Sequence, residues 1–264
     1  MSDPARTVIV GDVHGHLDRL LSLLVAARLT HEEGRWTGGK ATLVLMGDLF
    51  DRGPGGIDAL DLVMRLETRA AEHGGRVLTL LGNHDVLILA ARHFGERATT
   101  GPGGSFLADW KINGGEARDL ERMTDTHADW LSRQPAMLHL QNTLLAHADA
   151  VLYHRYGENV EEVNAAFSEL LLGRDPVAWD RLLDEFSERD AFLGEDGGRQ
   201  LDHFLSRFGG ERLIHGHTPV ARVTGQPPGS VTGPHIYAGG RAVNVDHGLY
   251  LGGPGFVYEL DEGR

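Results

Sequence analysis

The chain alternates short apolar runs with polar, glycine-bearing stretches. Thr7-Val8-Ile9-Val10, Ala41 to Met46 and Val77 to Leu81 are continuous apolar segments of strand length, which predicts strands buried on both faces. Between the first two, Leu17, Leu20, Leu21, Leu24 and Ala27 recur at helical spacing, predicting an amphipathic helix that runs to about Leu29. Between the second and third, Pro54-Gly55-Gly56 opens a helix carrying Leu60, Val63, Met64, Leu66 and Ala70, and His73-Gly74-Gly75 closes it. A further helix is expected over residues 86–93. This β-α-β-α-β order predicts parallel strands with right-handed helical crossovers.

Beyond residue 95 the pattern loosens. Thr99 to Gly104 reads as a surface loop, and residues 106–110 and 126–133 as short helices separated by a turn at Asn113-Gly114-Gly115. Residues 137–140 and 143–146 predict a hairpin across Gln141-Asn142 that starts a second sheet. Residues 159–208 read as helical, with breaks at Gly173 to Pro176 and Gly194 to Gly198. Strands are expected over 212–214, 222–224, 235–237, 242–245 and 256–260. Periodicity alone gives an α/β protein, with no repeat at solenoid period.

Three apolar runs end alike. Gly11-Asp12-Val13-His14-Gly15, Gly47-Asp48-Leu49-Phe50-Asp51-Arg52-Gly53 and Gly82-Asn83-His84-Asp85 each place oxygen- or nitrogen-bearing side chains just past a strand. Ligands of parallel sheets gather outside the carboxyl ends of the strands. Taken singly, Asp12 or Asp48 reads equally well as a cap or turn residue. The three together do not. Two carboxylates and a guanidinium in five residues suit divalent metals and an anionic substrate, since a carboxylate can bridge two cations while an Arg fork grips phosphate oxygens.

Composition narrows the picture. A length of 264 residues allows one or two domains, and candidate ligands spread from Asp12 to His217 point to a single domain over 1–264. The net charge of −13 argues against a nucleic-acid backbone binder, so any attraction of phosphate must be local. There is no cysteine, which removes thiolate ligands. No signal-type apolar segment or membrane-length run is present, and a cytoplasmic location is the default expectation.

With His147 and Gly216-His217-Thr218-Pro219 added, the motifs GDVHG, GDLFDRG and GNHD resemble the calcineurin-like metallophosphoesterases, and within them the Ser/Thr phosphoprotein phosphatases. The match spans residues 11–218. The resemblance implies a four-layer αββα sandwich with two mixed sheets. It also implies one metal held by Asp12, His14 and Asp48, and a second held by Asp48, Asn83, His147 and His217, with Asp48 bridging. Mn²⁺ is the metal it favours, and the mixed N/O set without sulfur also suits Fe or Zn²⁺. Two such ions lower the pKa of a shared water and align attacking and phosphoryl oxygens. His84 is then the general acid, oriented by Asp51, while Arg52 clamps the phosphate. His215 competes with His217 for the last ligand role, and the motif selects His217. For a second phosphate-binding arginine the choice is Arg189, ahead of Arg181. His247, in Val245-Asp246-His247-Gly248, is a further candidate for touching substrate.

Two departures matter. Broader phosphoesterases carry a second histidine two residues after the last ligand, where this chain has Pro219, which favours the phosphoprotein-phosphatase branch. That branch commonly has Glu where this chain has Asp85. The expected substrate is a phosphorylated protein, on Ser, Thr or Tyr. The alternative is a dinucleoside polyphosphate, since Arg52-Gly53-Pro54 and Arg133-Gln134-Pro135 resemble the symmetrical diadenosine tetraphosphate hydrolases. A catalytically silent metal-binding module requires a missing ligand, and none is missing; the acidic charge and Pro219 disfavour a nuclease.

Overall fold

The computed structural model describes residues 6–260. In chain order the strands are β1 (Thr7–Val10), β2 (Thr42–Leu45), β3 (Arg76–Thr79), β4 (Met137–Leu140), β5 (Thr143–Ala146), β6 (Arg212–His215), β7 (His235–Tyr237), β8 (Ala242–Asn244) and β9 (Tyr258–Leu260). The helices are α1 (Leu17–Ala26), α2 (Gly56–Glu72), α3 (Asn83–Phe94), α4 (Phe106–Ile112), α5 (Ala117–Arg122), α6 (Asp125–Leu131), α7 (Val160–Leu172), α8 (Pro176–Glu185), α9 (Gly197–Phe208) and α10 (Val220–Thr224). The strands form two mixed sheets, one ordered β3-β2-β1-β9 and the other β4-β5-β6-β8-β7. In the first, β1, β2 and β3 are parallel and β9 is antiparallel to β1. In the second, β5, β6 and β8 are parallel and the two edge strands are antiparallel.

The continuous apolar runs follow from a strand's twofold side-chain alternation with both faces covered. Ile9, Val44, Leu145, Ile214 and Val243 share one buried cluster between the sheets. Their neighbours Val8, Val10, Leu43, Leu45, Leu144, Leu213 and Ala242 belong to the cluster beneath the helices. Two sheets face to face with helices outside both is the αββα sandwich. On the outer face of the second sheet, Asn164 of α7 accepts from Ala136 N and Met137 N at 2.9 and 3.0 Å and donates to Met137 O, pinning the helix to β4.

One expected strand is corrected. Residues 222–224 are not a strand but the last turn of α10. The Val-x-Val-Thr spacing suits a strand, but Pro219 presets the N-terminal φ at −52° and Thr224 Oγ1 donates to Val220 O at 2.8 Å, closing a helical turn that Gly225 ends in the left-handed region. The stretch after Gly115, to which the sequence assigned no element, contains helix α5; its Asp119 is buried and accepts from Gly56 N and Ile57 N at 3.0 Å, satisfying the free N–H groups that open α2. Helix α3 starts at Asn83, three residues earlier than expected, so the third motif is itself the first helical turn. Among the described residues, no helix is long and apolar enough to cross a membrane.

Candidate active site

The loops after β1, β2 and β3 are bound to one another before any side chain reaches out. Val13 N and His14 N donate to Asp48 O at 3.1 and 2.8 Å, joining the first two. Asp85, inside the first turn of α3, accepts from Asp48 N, Leu49 N and Gly82 N, all at 2.9 Å, joining the second and third. From the other sheet, Gly216 N donates to His147 O at 2.8 Å. A Cβ at Gly216 would lie 2.1 Å from Asp12 Oδ1, so only glycine lets the His217 loop close onto the carboxylate.

The backbone is strained where the chemistry gathers. His14, Asp48, Asp51, Arg52 and His217 all lie in the left-handed region, with φ between 47° and 69°. For residues bearing a Cβ this costs roughly 1–2 kcal/mol each, borne by the packed sheets around them.

Asp48 sits at the centre. Its Oδ2 is 3.6 Å from His14 Nε2 and its Oδ1 3.4 Å from His147 Nε2. The donor atoms of His14, Asp48 and His84 converge within 4.8 Å of one another, as do those of Asp48, His147 and His217. Asn83 Oδ1 joins the second group, 3.2 Å from His147 Nε2 and 2.9 Å from His217 Nδ1. Asp12 enters from β1, where its Oδ2 accepts from His217 N at 2.9 Å. All six of the expected ligand residues therefore come together, and all are buried.

The residues fit metal ions. His14 Nδ1 lies 2.9 Å from Phe50 O and His147 Nδ1 2.7 Å from Met46 O, so each ring donates from Nδ1 and keeps its Nε2 lone pair for a ligand. Asp12 Oδ1 is buried without a hydrogen-bond partner. Burial opposes ionisation of Asp48, yet His147, His84, His14 and His217 around it hold the carboxyl below the usual carboxylate range. Burial also pushes His14, His147 and His217 below the ordinary imidazole value, toward the neutral form in which a ring nitrogen can ligate.

Beside the cluster stands His84, whose Nδ1 is 2.8 Å from Asp51 Oδ2. Asp51 Oδ1 accepts from Trp110 Nε1 at 2.7 Å. Burial pushes the Asp51 carboxyl up, against these two hydrogen bonds. Arg52 spans His14 Nε2 at 2.9 Å and His84 Nε2 at 2.7 Å with its two terminal nitrogens. A guanidinium only donates, so both imidazoles accept at Nε2 and carry their proton on Nδ1, in agreement with their other partners. Tyr250 lies beneath this fork, its ring centroid 4.2 Å from Arg52 Cζ and 4.9 Å from the His14 ring.

The remaining candidates separate. Arg189 is half-buried and donates to Ser187 O at 3.2 Å; burial, Arg222 and Arg52 lower its pKa, and its charge acts on His217, Asp246 and Tyr250. Arg181 is exposed on α8, with its charge felt at Tyr156. His215 turns away, with Nδ1 2.9 Å from Gly216 O and Nε2 2.8 Å from Tyr237 OH. His247 is sealed against Phe256 in the inter-sheet core and is no substrate contact. Sequence reasoning missed Trp110, Tyr250 and the part played by Asp85. Only Trp110 had a signal, because a buried indole N–H needs an acceptor. A cavity of about 340 Å³ adjoins Asn83, lined by Leu87, Leu183, Asp109, Asp180 and Asp184 among others. Its rim, the Thr99–Gly104 loop, is fixed by Thr100 N and Oγ1 donating to Asp180 Oδ2 at 3.0 and 2.8 Å.

Comparison with known proteins meets this geometry. Shewanella-like protein phosphatase 2 of Arabidopsis thaliana is 37% identical over 84 residues, which is 32% of this chain and 22% of that protein. The symmetrical bis(5'-nucleosyl)-tetraphosphatase of Shigella dysenteriae is 36% identical over 131 residues, 50% of this chain and 38% of that protein. The chain thus spans less than half the length of these curated relatives. A cold-active protein-tyrosine phosphatase from a psychrophilic Shewanella superposes with a TM-score of 0.74 at 22% identity, covering 99% of this chain and 78% of that one. The model of the calcineurin-like phosphoesterases matches residues 5–221, most of the chain, and the protein belongs to that family.

Proposed function

We propose that the chain is a metal-dependent phosphoprotein phosphatase that hydrolyses phosphate monoesters of Ser, Thr or Tyr side chains. Asp12, His14 and Asp48 would hold one divalent ion, and Asp48, Asn83, His147 and His217 the other, with Mn²⁺ the favoured metal. When bound, the pair supplies an activated water and neutralises phosphoryl oxygens. The chain's own residues do the rest. His14 Nε2 cannot serve both Arg52 and a metal, so with an ion on His14 the Arg52 fork would be free to match two phosphate oxygens. His84 Nε2, no longer accepting from Arg52, would take up a proton from solvent and pass it to the leaving oxygen, while Asp51 keeps the ring aligned through Nδ1–H. Tyr250 supports the moving fork from below by a cation–π contact, and Arg189 adds positive charge on the far side of His217.

The observation that carries the reading is the His84–Asp51 pair at 2.8 Å. A Ser or Thr alkoxide is a poor leaving group that needs a well-oriented acid, whereas a nucleotide leaving from a phosphoanhydride needs it far less. The acidic lining of the adjoining cavity points the same way, since Asp109, Asp180 and Asp184 would repel a polyphosphate chain and tolerate a neutral or basic peptide side chain. Dinucleoside polyphosphate hydrolysis is the second reading, and the match to half of this chain by a symmetrical tetraphosphatase is what favours it.

The test is side-by-side turnover of phosphothreonine and phosphotyrosine peptides and diadenosine tetraphosphate by the Mn²⁺-loaded protein. Peptide turnover exceeding dinucleotide cleavage is expected. Dinucleotide cleavage in excess would transfer the protein to the second reading.

A further inference from the structure

Six residues account for the expected ligands, yet the segment packed against Gly11 and the His217 loop holds another buried carboxylate. Asp246 follows β8 and is fully buried. Its position is built from both sheets. Its N–H donates to Asn244 Oδ1 at 2.9 Å, and its carbonyl accepts from Val220 N at 3.0 Å. Val245 N donates to His215 O at 2.8 Å and Asn244 Nδ2 to Thr218 O at 2.7 Å, so the segment is fastened along the whole loop that presents His217. From the first sheet, Gly11 presses so close that a Cβ there would lie 2.1 Å from Val245 O, and Asp12 is the next residue.

Only half of the Asp246 carboxylate has a structural task. Oδ1 accepts from Gly248 N at 2.9 Å, holding a turn whose glycine has φ 62°. Oδ2 is buried with no hydrogen-bond partner, and so is Asp12 Oδ1. The charges of Asp12 and Asp48 both bear on this neighbourhood, while Arg52 and Arg189 act on Asp246 only through their field and donate no hydrogen bond to it. A buried carboxylate oxygen without a partner is costly unless a proton or a cation meets it.

We infer that Asp246 is a further carboxylate of the metal centre, its Oδ2 serving the ion on the Asp12 and His14 side. This rests on the metal-dependent reading above. It extends that reading to a residue nearly thirty positions beyond His217 in the chain, delivered by a different strand.

The experiment is calorimetric titration of the metal-stripped full-length protein with Mn²⁺, paired with thermal unfolding in the absence and presence of the ion. Wild type is compared with Asp246→Asn, which keeps the shape and the acceptor for Gly248 N. The expected result is that one of two ions binds about 10–100-fold more weakly in the variant, and that the Mn²⁺-induced rise in Tm shrinks. A merely structural role would lower the metal-free Tm and leave the affinities and the Mn²⁺-induced rise unchanged, which overturns the inference alone. Should Asp246→Asn not fold, Asp246→Ser, with a smaller oxygen acceptor, carries the same comparison. Wild type that binds fewer than two ions would remove the proposed function and this inference together.

Discussion

At the scale of single residues, two side chains separate catalysis from metal holding. His84 touches the metal cluster from the side, but its Nδ1 is committed to Asp51 and its other nitrogen to Arg52. His84→Asn should keep both ions and lose about 10²-fold or more in kcat; unchanged turnover on an alkyl phosphate would take the acid role from it. Asp48 has no such separability, because its two oxygens face His14 and His147 respectively. Asp48→Asn should lose both ions in elemental analysis, and retention of two would contradict the bridging role. The candidates named from GDVHG, GDLFDRG and GNHD converge because each motif keeps its polar atoms within a few residues of a strand end. Trp110 and Tyr250 were not legible in the same way. Each reaches the site from a separate loop or helix, and an isolated aromatic in sequence looks like ordinary core.

At the scale of elements, the site depends on loops that hold one another. Asp85 is the joint, with three backbone N–H groups converging on one carboxylate. Asp85→Ala would leave them buried and unsatisfied, at a cost of at least about 3 kcal/mol. Denaturant unfolding should show that loss, together with weaker Mn²⁺ binding; stability within 0.5 kcal/mol of wild type, about the range of an ordinary surface change, would show that other contacts hold the loops. The α/β order of the first half was legible because its strands are apolar runs and its helices have clear periods. What was not legible was the face each strand residue takes. Val8 and Ile9 look alike in sequence, and only the pairing of two sheets sends one to the helices and the other to the inter-sheet core. The error at residues 222–224 has the same root. β-branched residues favour strands, and a proline at the helix entrance with a glycine at its exit overrode that preference locally.

At the scale of the whole molecule, the proposed ligands are split between the loops of two sheets, so holding metal should help to hold the sandwich together. Metal removal should lower Tm, by the equivalent of about 2.7 kcal/mol when the free ion stands at a hundred times its dissociation constant. An unchanged Tm after chelation would separate the site from the fold. Acid should also weaken the molecule through its core. Burial pushes His247 down to about 3, so it folds as the neutral imidazole, while in the unfolded chain it titrates near about 6.5. Its contribution is therefore fully present above that value and is lost progressively as pH falls toward 3. This amounts to about 2 kcal/mol at pH 5. Unfolding of metal-free wild type and His247→Leu at pH 7 and pH 5 should differ by this increment, and parallel pH dependences would contradict it. The net charge of −13 adds a further consequence. On the proposed reading, phosphate is drawn locally, by the metals, Arg52 and Arg189, against an acidic molecule.

The most direct test of the account is phosphate release from p-nitrophenyl phosphate as Mn²⁺ is returned stepwise to the metal-stripped protein. The account predicts no more than about half of full turnover with the first equivalent and full turnover only on completing the second, because Asp48 joins two ions into one site. Full turnover without metal, or at a single equivalent, would contradict it.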